Sequence, residues 1–278
     1  MGWKRPGFKV ILKHIGQPLL AQTRRHGGSE RPVDLAREAD GIGGEEDLMG
    51  TKNALIDAIK QFIDEIEHLN ERFDPASRKS SRNFERWGAV DFVAHSAFYA
   101  DRKIQKIEDP SSLEPIGGGD VVHDDLRYVF DKYADSTWDE VVGALRAAID
   151  GLHRVARARE ESDLESLDGE EQPIWRGIAY YGILHSSEHI AHAMVRAGNK
   201  RDAVDLQRRV TESLVAINNS DHWVGTVEYN LAKVLALAGD AEAVTVANSA
   251  VKRIPELARR AEQDEDFESI RDRLELSH

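Results

Sequence analysis

The sequence predicts an all-α fold in which a four-helix bundle is followed by shorter helical hairpins. From residue 51 onwards, apolar residues recur at three- and four-residue steps, the spacing of an amphipathic helix. No segment alternates apolar and polar residues with an excess of β-branched side chains, so we predict no strand. Composition and hydrophobic patterning divide the chain into a tail over 1–48, a bundle over 49–198 and a second helical domain over 199–278.

The composition is that of a globular protein with an acidic surface. The formal net charge is −13 at pH 7 and no basic stripe is present in the acidic part, so we expect no nucleic-acid partner. The chain has no cysteine, so a metal would have to be held by imidazole or carboxylate. No apolar run approaches the roughly 20 residues of a membrane span. We therefore expect a cytoplasmic protein without a membrane partner.

The tail is basic where the rest of the chain is acidic. Residues 1–29 contain lysines and arginines but no acid, and the glycine-rich stretch "DGIGGEED" comes after them. Lys13 interrupts the apolar core that a secretory signal would need. We predict a flexible basic tail over 1–48, and Met49 leaves open a translation start just before the first well-patterned helix.

Two amphipathic helices open the predicted bundle. The first covers "NALIDAIKQFIDEIEHL" and ends in the polar loop "DPASRKSSRN", while the second covers "GAVDFVAHSAFYADRKIQKI" and ends before Pro110. Their predicted inward faces consist of Leu55, Ile59, Phe62, Ile63, Ile66 and Leu69 in the first helix and Val90, Val93, Ala94, Ala97, Phe98 and Ile104 in the second.

Two further helices complete the predicted bundle. Thr137 followed by Glu140 forms a capping box at the start of the third helix, about 137 to 160. Pro173 lies near the first turn of the fourth helix, about 174 to 197. The long connection between the second and third helices contains "DDLRYVFDKYA", which predicts a short extra helix. The predicted inward face of the third helix consists of Val141, Leu145, Ala148, Ile149, Leu152 and Val155.

The last part of the chain has the pattern of helical-hairpin repeats. The stretch "YNLAKVLALAGD" is similar to the first helix and turn of a tetratricopeptide repeat, with a Leu before a small residue and Gly-Asp at the turn. Ala243, Ala247 and Ala250 fit the close packing that such repeats need, and we expect Phe267 and Ile270 to pack back onto them. The resemblance implies a domain that binds a protein partner or mediates a homodimer.

The stretch "YYGILHSSEHIAHAM" holds three of the chain's eleven histidines. Residues four apart on a helix lie one turn apart, about 6 Å, so His185 and His189 can reach one ion. His192 lies about a turn beyond them, too far to join easily in one coordination sphere. Because two histidines bind a metal weakly, a third ligand must come from another helix.

His95 is the candidate for that third ligand. It lies mid-helix beside the buried stripe, next to Val93 and Phe98, and an unsatisfied buried imidazole there costs about 1–3 kcal/mol. We therefore predict a three-histidine metal site formed by His95, His185 and His189. A metal-free bundle with satisfied histidines is the alternative.

Two of these motifs together resemble the DinB/YfiT-like metalloproteins. "WGAVDFVAHSAFYADR", with Asp91 and His95, stands about ninety residues before "HSSEHIAHAM", with His185 and His189, and "WDEVVGALRAAIDGL" between them is similar to that family's third helix. The resemblance covers 51–198. It implies a DinB-like four-helix bundle that holds a divalent ion through the three histidines with open positions. Zinc is expected first, and nickel, iron and manganese are the alternatives.

Three neighbouring residues have more than one interpretation. His192 could orient a ligand or move a proton as a catalytic residue, or it could be a polar residue at the open end of the bundle. Asp91 could accept a hydrogen bond from His95, or it could interact with the helix macrodipole. Glu188 points about 100° away from His189, so we expect it to be a surface acid.

The sequence supports two functions of different classes. The first is a metal-dependent hydrolase, or a transferase or isomerase that acts on a small-molecule substrate with a low-molecular-weight thiol. Since the chain has no cysteine, that thiol would be a cosubstrate. The second is a non-catalytic scaffold whose tetratricopeptide-like end binds a protein partner.

Overall fold

The computed structural model describes residues 45–112, 121–168 and 172–276. Within these ranges the fold is all-α, as predicted, and the only extended pairing is an isolated antiparallel bridge between Leu167 and Pro173. The helices up to residue 196 are α1 (Glu45–Glu67), α2 (Leu69–Arg72), α3 (Ala89–Glu108), α4 (Val121–Lys132), α5 (Trp138–Ala158), α6 (Glu161–Glu165), α7 (Ile174–Ile178) and α8 (His185–Arg196). The helices beyond it are α9 (Lys200–Val215), α10 (Asp221–Ala238), α11 (Ala243–Arg253) and α12 (Leu257–Gln263).

The helices of the predicted bundle are present, but the first and the fourth differ in their bounds, and the short helices α2 and α6 were not predicted. α1 begins at Glu45, inside the range predicted as a tail, and the rest of that tail lies outside the described residues. The fourth predicted helix consists of α7, a π-helical segment at Ala179–Leu184, and α8. The short helix predicted in the long connection is confirmed as α4.

The predicted capping box is confirmed at the start of α5. The backbone N–H of Glu140 donates to Oγ1 of Thr137 at 3.3 Å, and the backbone N–H of Thr137 donates to Oε2 of Glu140 at 2.7 Å. Each side chain thereby satisfies a backbone donor that the first helical turn leaves without a partner.

The amphipathic faces of the first helices meet in one core. α3 packs against α5 and α8, and α1 packs against α5, so the apolar stripes face one another. Every residue predicted to face inward on these helices is buried, except Ile104, which is partly buried against the core. Trp87 and Phe73 are buried in the same core.

The C-terminal helices continue the same packing. α9 packs against α8 and α10, and α10 packs against α11 after a turn at Gly239, whose φ of +80° is the left-handed conformation that favours glycine. Phe267 and Ile270 are buried, as expected. The buried apolar side chains on the two sides of residue 198 belong to one continuous cluster, so the predicted domain division is not marked by a gap in the core.

Among the described helices, none combines the length and the apolar character that a membrane crossing needs.

Candidate metal centre

Three histidines from two helices meet in the interior of the protein. His95 lies in the second turn of α3, and His185 and His189 occupy the first two turns of α8. The Nε2 atom of His185 is 3.3 Å from Nε2 of His95 and 3.1 Å from Nε2 of His189. None of the three residues is more than 3% exposed. The structure therefore brings together the three residues that the sequence selected as ligands.

A π-helical segment sets the start of α8. The backbone N–H of His185 donates to the carbonyl of Tyr180, five residues earlier, instead of the residue four positions back. The wider turn contains an extra residue, so it changes which side chains lie above His185 on the helix surface. As a result, Tyr180 and Tyr181 both approach the ring of His185, with centroid distances of 6.3 and 6.1 Å.

The three Nε2 atoms cannot satisfy one another through hydrogen bonds. In its ring plane a neutral imidazole nitrogen carries either one proton or one lone pair. The Nε2 atom of His185 can therefore form a hydrogen bond with His95 or with His189, but not with both. A divalent ion would accept the lone pairs of all three nitrogens at once.

The nitrogen separations suit such an ion. Two Zn–N bonds of about 2.0–2.1 Å place their nitrogens about 3.3 Å apart at a tetrahedral angle and about 2.9 Å apart at a right angle. The separations of 3.1 and 3.3 Å lie between these values. Three imidazoles also leave at least one coordination position for water or a substrate. The residues present thus fit a divalent metal.

Ring packing, and not a hydrogen bond to Nδ1, orients the three imidazoles among the described residues. The Nδ1 atoms of all three are buried and have no hydrogen-bond partner among the described residues. The ring of His95 packs at centroid distances of 5.0 Å from Trp87 and 4.6 Å from Tyr99, and Phe92 stacks on His189 at 5.6 Å. Since no acceptor holds Nδ1–H, the direction of each ring depends on the position of its helix.

Burial keeps the three imidazoles neutral at physiological pH. Desolvation lowers the pKa of His185 to about 4 and holds the pKa of His95 and of His189 well below the usual value. Nearby charges act on the pKa of His185 in opposite directions, because Glu188 raises it and Lys233 lowers it. Neutral imidazoles retain the lone pairs that coordination requires.

Tyrosines border the more accessible side of the centre. Tyr99, Tyr180 and Tyr181 are partly exposed, whereas Trp87 and Phe92 are buried. The ring of Tyr99 lies 5.6 Å from that of His185 and stacks on Tyr181 at 6.5 Å. Burial raises the pKa of Tyr180, so its hydroxyl stays protonated at neutral pH. These three rings form the tyrosine border of the three-histidine group.

Glu188 is buried, and the expectation that it is a surface acid is wrong. The residue is 8% exposed, and its carboxylate forms an ion pair with Nζ of Lys233 on α10. Burial alone would raise the pKa of Glu188, but Lys233 and His192 hold it below the usual value. The orientation about 100° from His189 is the direction in which α10 packs on α8, and the periodicity of one helix does not reveal that neighbour.

His192 faces a carboxylate outside the three-histidine group. Its Nε2 atom lies 3.4 Å from Oδ2 of Asp266, which in turn is 3.1 Å from Nζ of Lys233. We call Glu188, His192, Lys233, Asp264 and Asp266 the Lys233 cluster. Glu188, His192 and Asp266 also offer ligand atoms close together, but both carboxylates already form ion pairs with the ammonium of Lys233. The catalytic role of His192 stays a prediction.

Asp91 caps the helix that carries His95. Its carboxylate accepts hydrogen bonds from Oγ of Ser80 at 2.6 Å, from the backbone N–H of Ser81 at 2.9 Å and from the backbone N–H of Gly88 at 2.7 Å. Nδ1 of His95 has no hydrogen-bond partner among the described residues. The helix N-terminal interpretation of Asp91 is therefore the one that the structure supports.

Comparison of the chain with models of protein families, with curated proteins and with solved structures finds no match. The role of the three histidines is therefore inferred from their geometry.

Two features of the site were not predicted from the sequence. The π-helical segment has no periodic signature of its own. Lys233 does leave a signal, because it is a lone charge within the apolar stretch "NLAKVLALAG", and a charge in such a position needs a buried partner.

Proposed function

We propose that the protein binds a divalent metal ion through His95, His185 and His189 and uses an open coordination position for enzymatic chemistry. The convergence of three buried Nε2 atoms carries this proposal. Without an ion, one Nε2 contact of His185 would lack a hydrogen bond, at a cost of about 1–3 kcal/mol for an unsatisfied buried polar group. An ion removes that cost for all three nitrogens.

Zinc is the ion we expect first. Three neutral imidazoles with an open position are a ligand set of catalytic zinc sites, and nickel, iron and manganese are the alternatives. When bound, such an ion lowers the pKa of a water to about 7 or holds a thiolate. The buried side chains of Trp87 and Phe92 would exclude water from one side of the ion. A substrate would approach from the other side, past the partly exposed tyrosine border. The reactions we propose are hydrolysis, or transfer or isomerisation with a low-molecular-weight thiol.

Metal analysis of purified protein tests this proposal. The samples are the wild type, the three variants His95→Ala, His185→Ala and His189→Ala, and His153→Ala as a control on α5 outside the group. We expect about one ion per chain in the wild type and the control and none in the three variants. Equal metal content in all five samples, or none in the wild type after incubation with zinc, would contradict the proposal.

Activity assays then separate the two functions. Wild type loaded with zinc is assayed for hydrolysis of ester and amide substrates and for transfer to low-molecular-weight thiols, with His185→Ala as the inactive reference. Metal binding without any such activity would favour a metal-stabilised scaffold whose tetratricopeptide-like end binds a protein partner.

A further inference from the structure

The rotation of α8 about its axis decides where two of the three ligands point. His185 and His189 both lie on this helix, and no hydrogen bond to Nδ1 fixes either ring within the described part of the chain. A rotation or shift of α8 would therefore carry both Nε2 atoms away from that of His95. An interaction that fixes the rotation of α8 therefore also fixes the positions of these two Nε2 atoms.

A buried ion pair joins this part of α8 to the C-terminal helices. The acid Glu188 lies between the two ligands in sequence, and its partner Lys233 comes from the middle of α10, forty-five residues later. Their side chains are 11% and 7% exposed. A buried ion pair with good geometry is directional, and breaking it by removing one partner is costly because the other charge stays uncompensated.

Lys233 is itself held from a second direction. Its Nζ atom lies 3.1 Å from Oδ2 of Asp266 and 3.9 Å from Oδ2 of Asp264. The hydroxyl of Tyr229 donates to Asp264 at 3.0 Å. The ammonium is thus fixed by the segment after α12, and Glu188 meets an anchored partner, not a mobile one.

We propose that Lys233 is a positioning residue of the metal centre, which holds Glu188 and thereby fixes the rotation of α8. The affinity of the three histidines for a divalent ion then depends on helices that contribute no ligand. This inference rests on the proposed metal binding at His95, His185 and His189. It assigns to the C-terminal part of the chain a role in the same site.

The direction in which metal affinity changes when Lys233 is replaced distinguishes positioning of α8 from simple charge repulsion. A positive charge near a divalent cation weakens the binding of that cation by Coulomb repulsion. If the charge of Lys233 were all that mattered, its removal would strengthen metal binding. If Lys233 positions α8, its removal weakens metal binding.

The first experiment measures the dissociation constant for Zn²⁺ by competition with a chromophoric chelator. We expect Lys233→Met to bind roughly tenfold more weakly than wild type, in the range seen for residues that orient metal ligands. Glu188→Gln should lose about as much, and the double variant no more than either single one, because both act through one pair. Lys252→Met, which removes an exposed ammonium from α11, is the matched control, and its dissociation constant should stay within about twofold of the wild-type value.

The second experiment restores the ammonium chemically. Because the chain has no cysteine, Lys233→Cys can be alkylated at a single thiol in denaturant and refolded. Treatment with 2-bromoethylamine rebuilds an ammonium side chain of nearly the original length, whereas iodoacetamide leaves a neutral one. We expect the aminoethylated protein to recover wild-type Zn²⁺ affinity and the visible absorption spectrum of bound Co²⁺, and the carbamidomethylated protein to recover neither. Wild type taken through the same cycle controls for refolding.

Each outcome assigns success or failure to one proposal. If wild type binds no ion, the proposed function fails. If wild type binds Zn²⁺ and Lys233→Met binds it as tightly or more tightly, metal binding stands and positioning by Lys233 fails. If Lys233→Met does not fold by circular dichroism, Glu188→Gln and the alkylated proteins decide: unchanged affinity in Glu188→Gln, or equal affinity after both alkylations, overturns the inference.

Discussion

At the scale of single residues, the structure separates side chains that contact the three-histidine group from side chains that stabilise the helices carrying it. Asp91 stands one turn before His95 in the sequence, as a carboxylate that supports an imidazole could, but its oxygens accept hydrogen bonds from Ser80, Ser81 and Gly88. These hydrogen bonds hold the loop before α3 against the N-terminus of that helix. Asp91 therefore contributes to the stability of α3 and not to the basicity of His95.

Replacement of Asp91 tests that distinction. We expect Asp91→Ala to lower the free energy of unfolding by about 2 kcal/mol, because it removes a helix cap and three partly buried hydrogen bonds. The bound metal should stay at the wild-type stoichiometry. Urea denaturation and metal analysis measure the two quantities, with Asp101→Ala as an exposed control on the same helix. Loss of metal without loss of stability would point to a direct role beside His95.

At the scale of helices, the sequence predicted the features that depend on residues within one helix. The apolar stripes on α1, α3 and α5 and the capping box at Thr137 depend on local spacing, and the structure confirms them. The His95, His185 and His189 group was also predictable, because spacing on one helix and burial on another selected its members. The partner of Glu188 was not, since a helical period shows which residues share a face but not which neighbour covers that face.

A bridge between α1 and α9 gives a pH-dependent prediction at this scale. Burial alone would raise the pKa of Glu65, but hydrogen bonds from Arg209 and Arg72 outweigh it and hold the pKa below 4.5. The guanidinium of Arg209 binds the carboxylate with two hydrogen bonds, at 2.7 and 3.1 Å. A lowered folded-state pKa means that this stabilisation is present above the unfolded value of 4.5 and is lost as pH falls through the folded-state value.

Glu65→Gln should therefore destabilise the protein by about 1.5 kcal/mol at pH 7, the scale of a hydrogen bond to a charged group. The difference from wild type should shrink as the pH falls below 4.5. Denaturant titrations over this pH range measure it. Glu67→Gln is the control on the same helix. The side chain of Glu67 forms an ion pair with Arg146 but is 57% exposed, so we expect its replacement to change the free energy of unfolding by less than about 0.5 kcal/mol. A difference that is constant with pH would contradict the assigned cause.

A second buried ion pair ties α3 to the segment before α7. Nζ of Lys103 donates to Oδ2 of Asp168 at 2.6 Å, with side chains 2% and 4% exposed. We expect Lys103→Met to lower the free energy of unfolding by about 3 kcal/mol, because Asp168 would lose this buried counter-charge. Thermal and urea denaturation measure the loss. A variant as stable as wild type would show that the carboxylate can reach water.

At the scale of the whole molecule, one continuous core joins the helices that carry the three histidines to the C-terminal helices. Apolar side chains on both sides of residue 198 are buried in the same cluster, and α8 contacts both α3 and α9. A ligand that binds only the folded chain should therefore stabilise all of it together.

Chelation tests this coupling. With Zn²⁺ at 100 times its dissociation constant, binding adds about 2.7 kcal/mol to the free energy of unfolding. For a chain of this size, removal of the ion should lower Tm by roughly 5–10 °C in a single transition. Scanning calorimetry with and without a chelator measures the shift, and His95→Ala should show none. Two separate transitions, only one of them sensitive to chelator, would mean that the C-terminal helices unfold independently of the metal centre.

The π-helical segment at Ala179–Leu184 has a consequence for how such a site can arise in evolution. A π turn holds one residue more than an α turn, so it can take up one inserted residue without rotating the helical segments on its two sides relative to each other. One such insertion upstream of His185 would leave the histidines facing the interior and would place Tyr180 and Tyr181 together beside His185. Ancestral sequence reconstruction could therefore look for a gain of one codon between α7 and α8 as the step that gave the three-histidine group its aromatic border.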